Sequence, residues 1–255
     1  MEGARRGNRP RGGPRRYGRD TMAPKPKKAR AAVLIADEDR ADFELVEREV
    51  GPGAAQRLLT AGLECFSERG YYATTTRDIA LRAQMSPGAM YIHYPSKGEL
   101  LYRLSRLGHQ DALQAVRHGG RHDRDPRRQL RRRVASLAGW HARHHRLARV
   151  AQYELRSLPP DRLAEIRFLR RQVSALLESD IEAGVATGAF LPPETHETVR
   201  AILSLCIDIA RWYSPRGPRS PTELGEIYAD LVVRMITPPA DPGSGHRAFT
   251  HATRR

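Results

Sequence analysis

Residue types that mark several classes of protein are scarce in this chain of 255 residues. It has only two cysteines, Cys65 and Cys206, on apolar helix faces, so we expect buried free thiols rather than a disulfide or a metal site. No run of about 18 apolar residues occurs, so we predict no membrane-spanning helix, and we expect no membrane partner. Aromatic residues make up only 6% of the sequence, which suits helices built from Leu, Ala and Val.

Acidic residues are also scarce. The chain has 29 Asp and Glu but 44 Lys and Arg, so its formal net charge is +15. This excess suits an anionic partner. It is most concentrated in residues 1–30, where eleven basic residues lie among Gly and Pro without periodicity, which predicts a disordered arm. Such an arm either adds DNA affinity through phosphate contacts or is an unselected tail, with Met22 as the true start.

No catalytic constellation is visible. The sequence has no nucleophile elbow, no phosphate-binding glycine loop and no paired carboxylates in a plausible cleft, so we predict that the protein is not an enzyme and uses no cofactor. His141, His144 and His145 have a helical spacing that can hold a metal ion. The neighbouring cations Arg143 and Arg146 oppose metal binding, so we expect a solvated basic face and no metal site.

The most informative segment runs from Thr75 to Tyr94 and has the pattern of a helix-turn-helix motif. Threonine hydroxyls precede its first helix, and Asp78 in the first turn favours the helix dipole. After a short turn, Ser86 caps a second helix that has Pro87 at its first position. Ser96 then caps a third helix.

Small residues at the start of the second helix let its backbone approach another molecule, and polar donors flank it on both sides. A helix of this kind can enter the major groove of DNA. The predicted DNA-binding residues are Thr75, Thr76, Arg77, Ser86, Pro87, Gly88, Ala89, Tyr91, His93 and Lys97. The alternative is a plain helical hairpin on the surface of an all-α domain.

The same segment resembles the DNA-binding domain of TetR/AcrR-type repressors. The matching parts are Ala73-Thr-Thr-Thr-Arg-Asp-Ile-Ala and Ser86-Pro-Gly-Ala-Met-Tyr-Ile-His-Tyr-Pro-Ser-Lys-Gly-Glu-Leu, and the run from Gln56 to Gly70 is similar to that family's first helix. Met90, Ile92 and Gly98 depart from the family's usual residues. The resemblance implies a cytoplasmic, nucleoid-associated bacterial repressor that binds double-stranded DNA at a palindromic operator as a homodimer.

Helical periodicity continues to the end of the apolar sequence, and no strand alternation competes with it. We therefore predict an all-α fold, with an N-terminal three-helix helix-turn-helix DNA-binding domain and a C-terminal helical bundle for ligand binding and dimerisation. The predicted segments are a disordered basic then acidic extension (1–52), the DNA-binding domain (53–104), the helical effector-binding and dimerisation domain (105–238) and a disordered tail (239–255). Within the extension, residues 37–49 could form a marginal helix.

The last two predicted helices carry apolar stripes that must pack against other helices on more than one side. Two such hairpins from two copies can form a four-helix interface, whereas the alternative is the core of a monomer. The resemblance favours the dimer, since these repressors pair through their last two long helices. The predicted interface residues are Leu205, Ile209, Leu224, Tyr228, Leu231 and Met235.

The C-terminal bundle is longer than dimerisation alone requires, which favours a ligand-sensing domain. We expect a cavity of about 300–1,000 Å³, a usual size for a ligand site. The predicted pocket residues are Trp140, Tyr153, Phe168, Cys206 and Trp212. Arg127 to Arg133 crowd a helix start, either as a site for ligand phosphates or as an exposed basic face.

Two C-terminal runs, Tyr153-Glu-Leu-Arg-Ser-Leu-Pro-Pro and Arg211-Trp-Tyr-Ser-Pro-Arg-Gly-Pro, resemble TetR-type regulators of fatty-acid, steroid or acyl-CoA catabolism. The resemblance implies a small apolar or acyl-CoA-type effector that releases the repressor from its operator. The alternative function is a DNA-binding repressor or architectural protein without a small-molecule effector. A cavity inside the bundle would distinguish the two.

Overall fold

The computed structural model describes residues 40–121, 123–191 and 194–238. These residues form one compact unit of ten α-helices and a short 3-10 helix, without a strand, so the all-α prediction is confirmed. The α-helices are α1 (Arg40–Val50), α2 (Ala54–Ala73), α3 (Thr76–Arg82), α4 (Pro87–His93), α5 (Lys97–Gly119), α6 (Pro126–Arg143), α7 (His145–Tyr153), α8 (Pro160–Ala186), α9 (Thr195–Trp212) and α10 (Pro221–Ile236). The 3-10 helix is Leu155–Ser157. None of the helices in these ranges is long and apolar enough to cross a membrane.

Helix caps determine where the two helices of the helix-turn-helix begin. The Thr75 hydroxyl accepts a hydrogen bond from Asp78 N at 3.2 Å, and the Asp78 carboxylate accepts one from Thr75 N at 2.9 Å, which begins α3. The Ser86 hydroxyl accepts from Ala89 N at 3.2 Å and begins α4. Between the two helices, Gln84 has a φ of 57°, and this left-handed residue closes the turn.

Helix α2 is interrupted near its end by Gly70, whose φ of 79° favours glycine. The interruption frees the next amide, and Tyr71 N donates to Glu154 Oε1 at 3.1 Å. Tyr71 O in turn accepts from Lys97 Nζ at 2.8 Å. Glu154 follows α7 and Lys97 opens α5, so this Tyr71 junction joins the end of α2 to both helices.

Helices α5 to α10 form the C-terminal bundle, and α6 packs against each of the other five. Leu130, Val134 and Leu137 of α6 are buried in its core. Helices α6 and α10 approach each other closely, since a Cβ at Gly225 would lie 2.5 Å from Ala135 O. Glycine is therefore required there, because any side chain would push the two helices apart.

Residues 1–52 were predicted to be disordered, but Arg40–Val50 of this segment form helix α1, so the prediction was wrong there. Leu45 and Val46 are 3% and 0% exposed, and Asp42 is also buried. A helix with buried apolar residues on one face is anchored by packing rather than by its own marginal propensity. The basic arm, the question of Met22 and the C-terminal tail concern residues outside the described ranges.

The cysteines and the histidine cluster are all buried. Cys65 and Cys206 are free thiols, as predicted, and burial raises the pKa of Cys206 to about 12. His141, His144 and His145 are 3%, 7% and 7% exposed, so the prediction of a solvated basic face was wrong. Each ring can be buried because its Nδ1 has a hydrogen-bond partner inside the protein. No group of His, Cys, Asp or Glu within the described ranges could hold a metal ion.

Candidate nucleic-acid interface and ligand cavity

The outer face of α4 is exposed because its inner face is firmly held. Met90 and Tyr94 are 0% and 5% exposed, which confirms that they face inward together. Tyr94 OH also donates to Ala55 O on α2 at 3.2 Å. Gly88 and Tyr91 are consequently turned to the outside.

The predicted DNA-binding residues all reach the surface of the helix-turn-helix and of the start of α5. Seven are exposed (Thr75, Arg77, Ser86, Pro87, Gly88, Tyr91, His93) and three are half-buried (Thr76, Ala89, Lys97). Among the described residues, Arg77 has no hydrogen-bond or ion-pair partner. An unpaired guanidinium at this position is available to a phosphate group.

Two hydroxyls meet where α3 and α4 approach each other. Thr76 Oγ1 and Tyr91 OH are 3.2 Å apart, so one phosphate oxygen could contact both. Thr75 is different, because its hydroxyl donates to Asp78 Oδ2 at 2.7 Å while accepting from the backbone. The capping box lowers the pKa of Asp78 through the hydrogen bonds from Thr75. The Thr75 hydroxyl is thus occupied by the helix cap.

The Lys97 side chain is more buried than that of a lysine that only contacts phosphate. Its ammonium donates to Tyr71 O at 2.8 Å and Thr74 O at 2.7 Å, and it lies 4.3 Å from the centroid of the Tyr71 ring. An ammonium has three donors, so one is left for a phosphate. In the structure, the contacts that Lys97 makes hold the start of α5 against the end of α2.

One candidate contact, Ile92, was not among the predicted residues. Its side chain is 81% exposed on the outer face of α4. The major groove offers an apolar partner for such a side chain, the methyl group of thymine. The signal was present in the sequence, since Ile92 is apolar at a position that is often polar or aromatic in the family it resembles.

A cavity of about 250 Å³ opens inside the bundle, between α5, α6, α7, α8 and α9. Its volume is slightly below the predicted range, and much of its wall is apolar, including Ala112, Leu137, Val173, Leu203 and Ile207. The cavity favours a ligand-responsive protein over a DNA-binding protein without an effector.

Only Trp140 of the five predicted pocket residues lines this cavity. Tyr153, Phe168 and Trp212 are 54%, 55% and 47% exposed, outside the cavity, and Cys206 is buried in the core of the bundle. The prediction was therefore wrong for these four. Periodicity identifies apolar faces, but which turn of a helix borders a hollow depends on how its neighbours pack.

Two buried imidazoles, those of His109 and His141, line the cavity. His109 Nδ1 lies 2.7 Å from Ser105 O, and His141 Nδ1 lies 2.9 Å from Leu137 O. Burial, with a smaller contribution from the charge of Arg170, lowers the pKa of each histidine to about 4, so both rings are neutral at neutral pH. Sequence analysis did not identify His109 and placed His141 in solvent.

The arginines that line the cavity and its adjoining groove come mainly from α8. Arg170 lines both the cavity and an adjoining groove of about 430 Å³, whose walls also include Arg156, Arg167 and Arg171. None of the four has a carboxylate partner among the described residues. The pKa of Arg170 is lowered by desolvation and then by the charge of Arg167. The groove, here called the arginine groove, is therefore a positive surface without compensation.

Of the arginines at the start of α6, Arg128 and Arg132 lie on an exposed basic face, whereas Arg131 and Arg133 are paired within the protein. Arg131 pairs with Glu226 and Asp230 of α10, at 2.6 and 2.8 Å. Arg133 is buried and lies 2.6 Å from the Asp180 carboxylate of α8. Because acids from neighbouring helices neutralise these guanidinium groups, they hold α6 to its neighbours instead.

Apolar side chains remain exposed on the last two helices. Ile227, Leu231 and Met235 recur every four residues along α10 and are 38%, 44% and 62% exposed. Leu205 and Trp212 of α9 are also exposed. Isolated apolar residues are common on surfaces, but a stripe with helical spacing marks a contact face.

This surface corrects part of the predicted dimer interface. Leu205, Leu231 and Met235 are exposed, and Tyr228 is half-buried. Ile209 and Leu224 are 0% and 6% exposed within the chain, so neither can contribute directly to a second copy. Both are covered by the chain's own core, which the sequence pattern could not distinguish from cover by a partner.

Comparisons with known proteins agree with this arrangement. Residues 58–104 match the family described as "Bacterial regulatory proteins, tetR family", and residues 123–236 match the "Tetracyclin repressor-like, C-terminal domain". The HTH-type transcriptional repressor KstR2 of Mycobacterium tuberculosis is 32% identical over 186 residues, which cover 71% of this chain and 91% of that protein.

Solved structures share the fold. A tetR-family regulatory protein from Rhodococcus RHA1 has a TM-score of 0.70 and 39% identity, and the match covers 74% of this chain and 100% of that one. AibR, in complex with isovaleryl coenzyme A and operator DNA, has a TM-score of 0.65 and 21% identity, with 74% and 100% coverage.

Proposed function

The chain belongs to the TetR family of bacterial transcriptional regulators, and from this premise we propose that it is a homodimeric repressor released from a palindromic operator by an acyl-CoA-type effector. It is a DNA-binding transcriptional regulator and not an enzyme, as the sequence predicted. It acts in the cytoplasm, at the bacterial chromosome. The observation that carries the effector proposal is that an apolar cavity and an uncompensated arginine groove share Arg170.

In the proposed DNA complex, α4 lies in the major groove. Its exposed start, including Ser86, Pro87, Gly88 and Ala89, is small enough for the backbone to approach base edges. Ile92 would contact thymine methyl groups. The flanking donors contact phosphates, which position the protein without specifying sequence. These donors are Thr76, Arg77, Tyr91, His93 and Lys97, whereas the predicted contact of Thr75 is not kept, because its hydroxyl donates to Asp78 in the helix cap.

The proposed homodimer uses the apolar surface of α9 and α10. A two-fold axis brings this surface onto the same surface of a second copy, which covers Leu231 and Met235. The dimer must then place its two α4 helices about 34–36 Å apart, or a multiple of that distance, to contact successive major grooves.

The proposed effector has an apolar body and an anionic head. The body occupies the cavity, and the phosphates of its coenzyme A portion lie in the arginine groove, where guanidinium groups can make paired hydrogen bonds to phosphate oxygens. AibR, which has this fold, binds isovaleryl coenzyme A. A cavity of about 250 Å³ favours a compact acyl group over a long, fully enclosed chain.

Release from DNA follows if the effector binds better to a conformation that cannot bind the operator. The cavity borders α7, and the Tyr71 junction connects the end of α7 to α2 and to the first residue of α5. A shift of α7 on ligand binding would therefore reach the DNA-binding helices through contacts that already exist. Coupling of this kind typically amounts to about 1–3 kcal/mol.

The effector proposal is tested by release of an operator fragment, selected from random DNA, measured by fluorescence anisotropy across a panel of CoA thioesters. We expect thioesters to release the DNA. Arg170→Gln should raise the concentration needed for half-release about tenfold or more, because a charged hydrogen bond is lost. Operator affinity without effector should not change.

The matched control is Arg132→Gln, which alters an exposed arginine at the start of α6. It should leave release by thioesters unchanged. Release by free fatty acids or hydrophobic drugs but by no thioester would contradict the proposal. An equal effect of Arg132→Gln and Arg170→Gln would show that the arginine groove is not the specific site.

The DNA contacts are tested by the salt dependence of operator binding. Arg77→Ala should weaken binding to all sequences and reduce the slope of log affinity against log salt concentration by about one. Ile92→Ala should instead weaken binding to the operator more than to random DNA, with no change in slope. Unchanged affinity and slope for Arg77→Ala would refute its phosphate contact.

A further inference from the structure

Trp140 of α6 borders two separate hollows of the C-terminal bundle. It lines the cavity of about 250 Å³, and it also lines a groove of about 300 Å³ that α5, α6 and α10 form. The walls of this groove include Ala115 of α5, Gly139 of α6 and Thr222 of α10. Among the described residues, Trp140 is the only one that lines both hollows, so it marks the boundary between them.

The cavity has an exposed side and a buried side. Arg170 of α8 and Ser204 of α9 line it and are exposed. Leu137 and Trp140 of α6 also line it, but they are only 2% and 5% exposed. A ligand whose anionic head lies in the arginine groove enters from the exposed side, so the far end of its acyl group points toward the buried wall that contains Trp140.

The indole of Trp140 is held in place by several contacts. Its Nε1–H donates to Asp111 Oδ2 at 2.8 Å, and the same carboxylate accepts from Arg48 of α1 at 2.6 Å. The rings of His141 and His144 lie against the indole, each with a centroid distance of 5.1 Å. To move aside, the indole would have to give up this hydrogen bond and both ring contacts, so Trp140 is a fixed wall.

We propose that Trp140 sets the upper limit on the length of the acyl group that the protein accepts. Short or branched acyl groups, such as isobutyryl and isovaleryl, fill the cavity in front of the indole. A longer chain meets the indole, which separates it from the groove, and part of its hydrocarbon stays in water. Each methylene that is not buried forgoes about a fourfold gain in affinity. This inference rests on the proposed acyl-CoA class and adds what decides selectivity within that class.

The first test compares acyl chain lengths in the wild type and in Trp140→Ala. Dissociation constants are measured by calorimetry for isobutyryl-, isovaleryl-, octanoyl- and dodecanoyl-CoA. We expect the wild type to bind isovaleryl-CoA about tenfold tighter or more than dodecanoyl-CoA. Trp140→Ala opens the cavity into the groove, so it should bind dodecanoyl-CoA about tenfold tighter than the wild type does.

Two results of this test would overturn the inference. The first is a wild type that binds dodecanoyl-CoA as tightly as isovaleryl-CoA, which would show that the cavity has no length limit. The second is a folded Trp140→Ala protein that keeps the wild-type order of affinities, which would show that the limit lies at another residue.

Two control variants separate the boundary from the size of the cavity. Leu203→Ala enlarges the cavity at α9, away from the groove, and should keep the wild-type order. Ala115 lines only the groove and packs beside Trp140, so Ala115→Phe in the Trp140→Ala background should restore the preference for isovaleryl-CoA. Loss of the length limit in Leu203→Ala, or tight binding of dodecanoyl-CoA that survives Ala115→Phe, would contradict the proposed path of the chain.

A second measurement keeps Trp140 and therefore decides the question even if Trp140→Ala does not fold. The chain has two tryptophans, so in Trp212→Phe the fluorescence comes from Trp140 alone. Bromine quenches indole fluorescence at contact distance, so 5-bromopentanoyl-CoA should quench this variant strongly. The matched control, Trp140→Phe, keeps only the exposed Trp212 and should show no quenching. Binding of the bromo thioester without quenching of Trp140 would overturn the inference.

Failure of the effector class can be distinguished from failure of this inference. If no thioester binds the wild type or any variant, the acyl-CoA proposal fails. Free isovaleric and dodecanoic acids then replace the thioesters in the same comparison. A reversal of their order of affinity in Trp140→Ala supports the limit at Trp140, and an unchanged order overturns it.

Discussion

Asp42 Oδ1 lies 2.8 Å from His144 Nδ1, although 102 positions separate the two residues. Both side chains are buried, and Asp42 Oδ2 also accepts from Leu147 N at 3.4 Å. The His144 ring lies against Trp140, with centroids 5.1 Å apart, and Trp140 lines the cavity. Helix α1 therefore holds the junction of α6 and α7 immediately beside the proposed ligand site.

We expect Asp42→Ala to lower the free energy of unfolding by about 3 kcal/mol or more, because it removes one partner of a buried polar pair. Urea denaturation measures the loss, and hydrogen exchange should show that the amides of α1 lose protection. The control, Glu44→Ala, breaks an exposed pair with Arg40 on the same helix and should cost less than about 1 kcal/mol. Equal costs for the two variants would mean that α1 contributes no specific contact.

The Tyr71 junction predicts a variant that still binds operator DNA and effector, but in which effector binding weakens operator binding less. Glu154→Ala removes the carboxylate that accepts from Tyr71 N. We expect the effector to bind the free protein with unchanged affinity, while the ratio of operator dissociation constants with and without effector falls several-fold. Glu182→Ala, an exposed change on α8, is the control. A wild-type ratio in Glu154→Ala would show that coupling follows another route.

The buried histidines predict a loss of stability in mild acid. The unfolded chain takes up protons near pH 6.5, whereas the folded rings of His109 and His141 resist them until about pH 4. Stability is therefore fully present above pH 6.5 and falls as the pH decreases, by about 2 kcal/mol for each histidine at pH 5. Urea denaturation at pH 7 and pH 5 should show a smaller decrease in the His109→Leu, His141→Leu double variant. Parallel decreases would contradict the depressed pKa values.

Two substitutions distinguish the dimer surface from the core. Leu231→Arg places a charge on the exposed stripe of α10 and should give folded monomers in sedimentation, with weaker operator binding. Ile209→Arg places a charge at a fully buried position and should prevent folding, since an unpaired buried charge costs several kcal/mol. Glu182→Arg, which places the same charge at an exposed position of α8, is the control. A wild-type protein that is monomeric at micromolar concentration yet binds its operator tightly would refute the dimer.

The helix-turn-helix was predictable because its determinants are local. The capping residues Thr75 and Ser86 make their hydrogen bonds within three residues, and Met90 and Tyr94 face inward through helical spacing alone. The same reasoning did not show that Lys97 also joins α5 to α2. Its partners, Tyr71 O and Thr74 O, are backbone atoms exposed by the interruption of α2 at Gly70, which depends on Glu154 from a distant helix.

The sequence by itself determined the helices, their caps, the family and the presence of apolar faces, because these depend on neighbours within one or two turns. Only the tertiary structure decided which of those faces meets solvent, a cavity or the core. Ile209 and Leu231 have similar sequence surroundings, yet one is buried and the other exposed. Arg131 and Arg133 of α6 meet acids from α10 and α8, while Arg167, Arg170 and Arg171 of α8 meet none among the described residues. Burial and charge compensation are properties of side chains brought together from distant parts of the chain, so no local pattern records them.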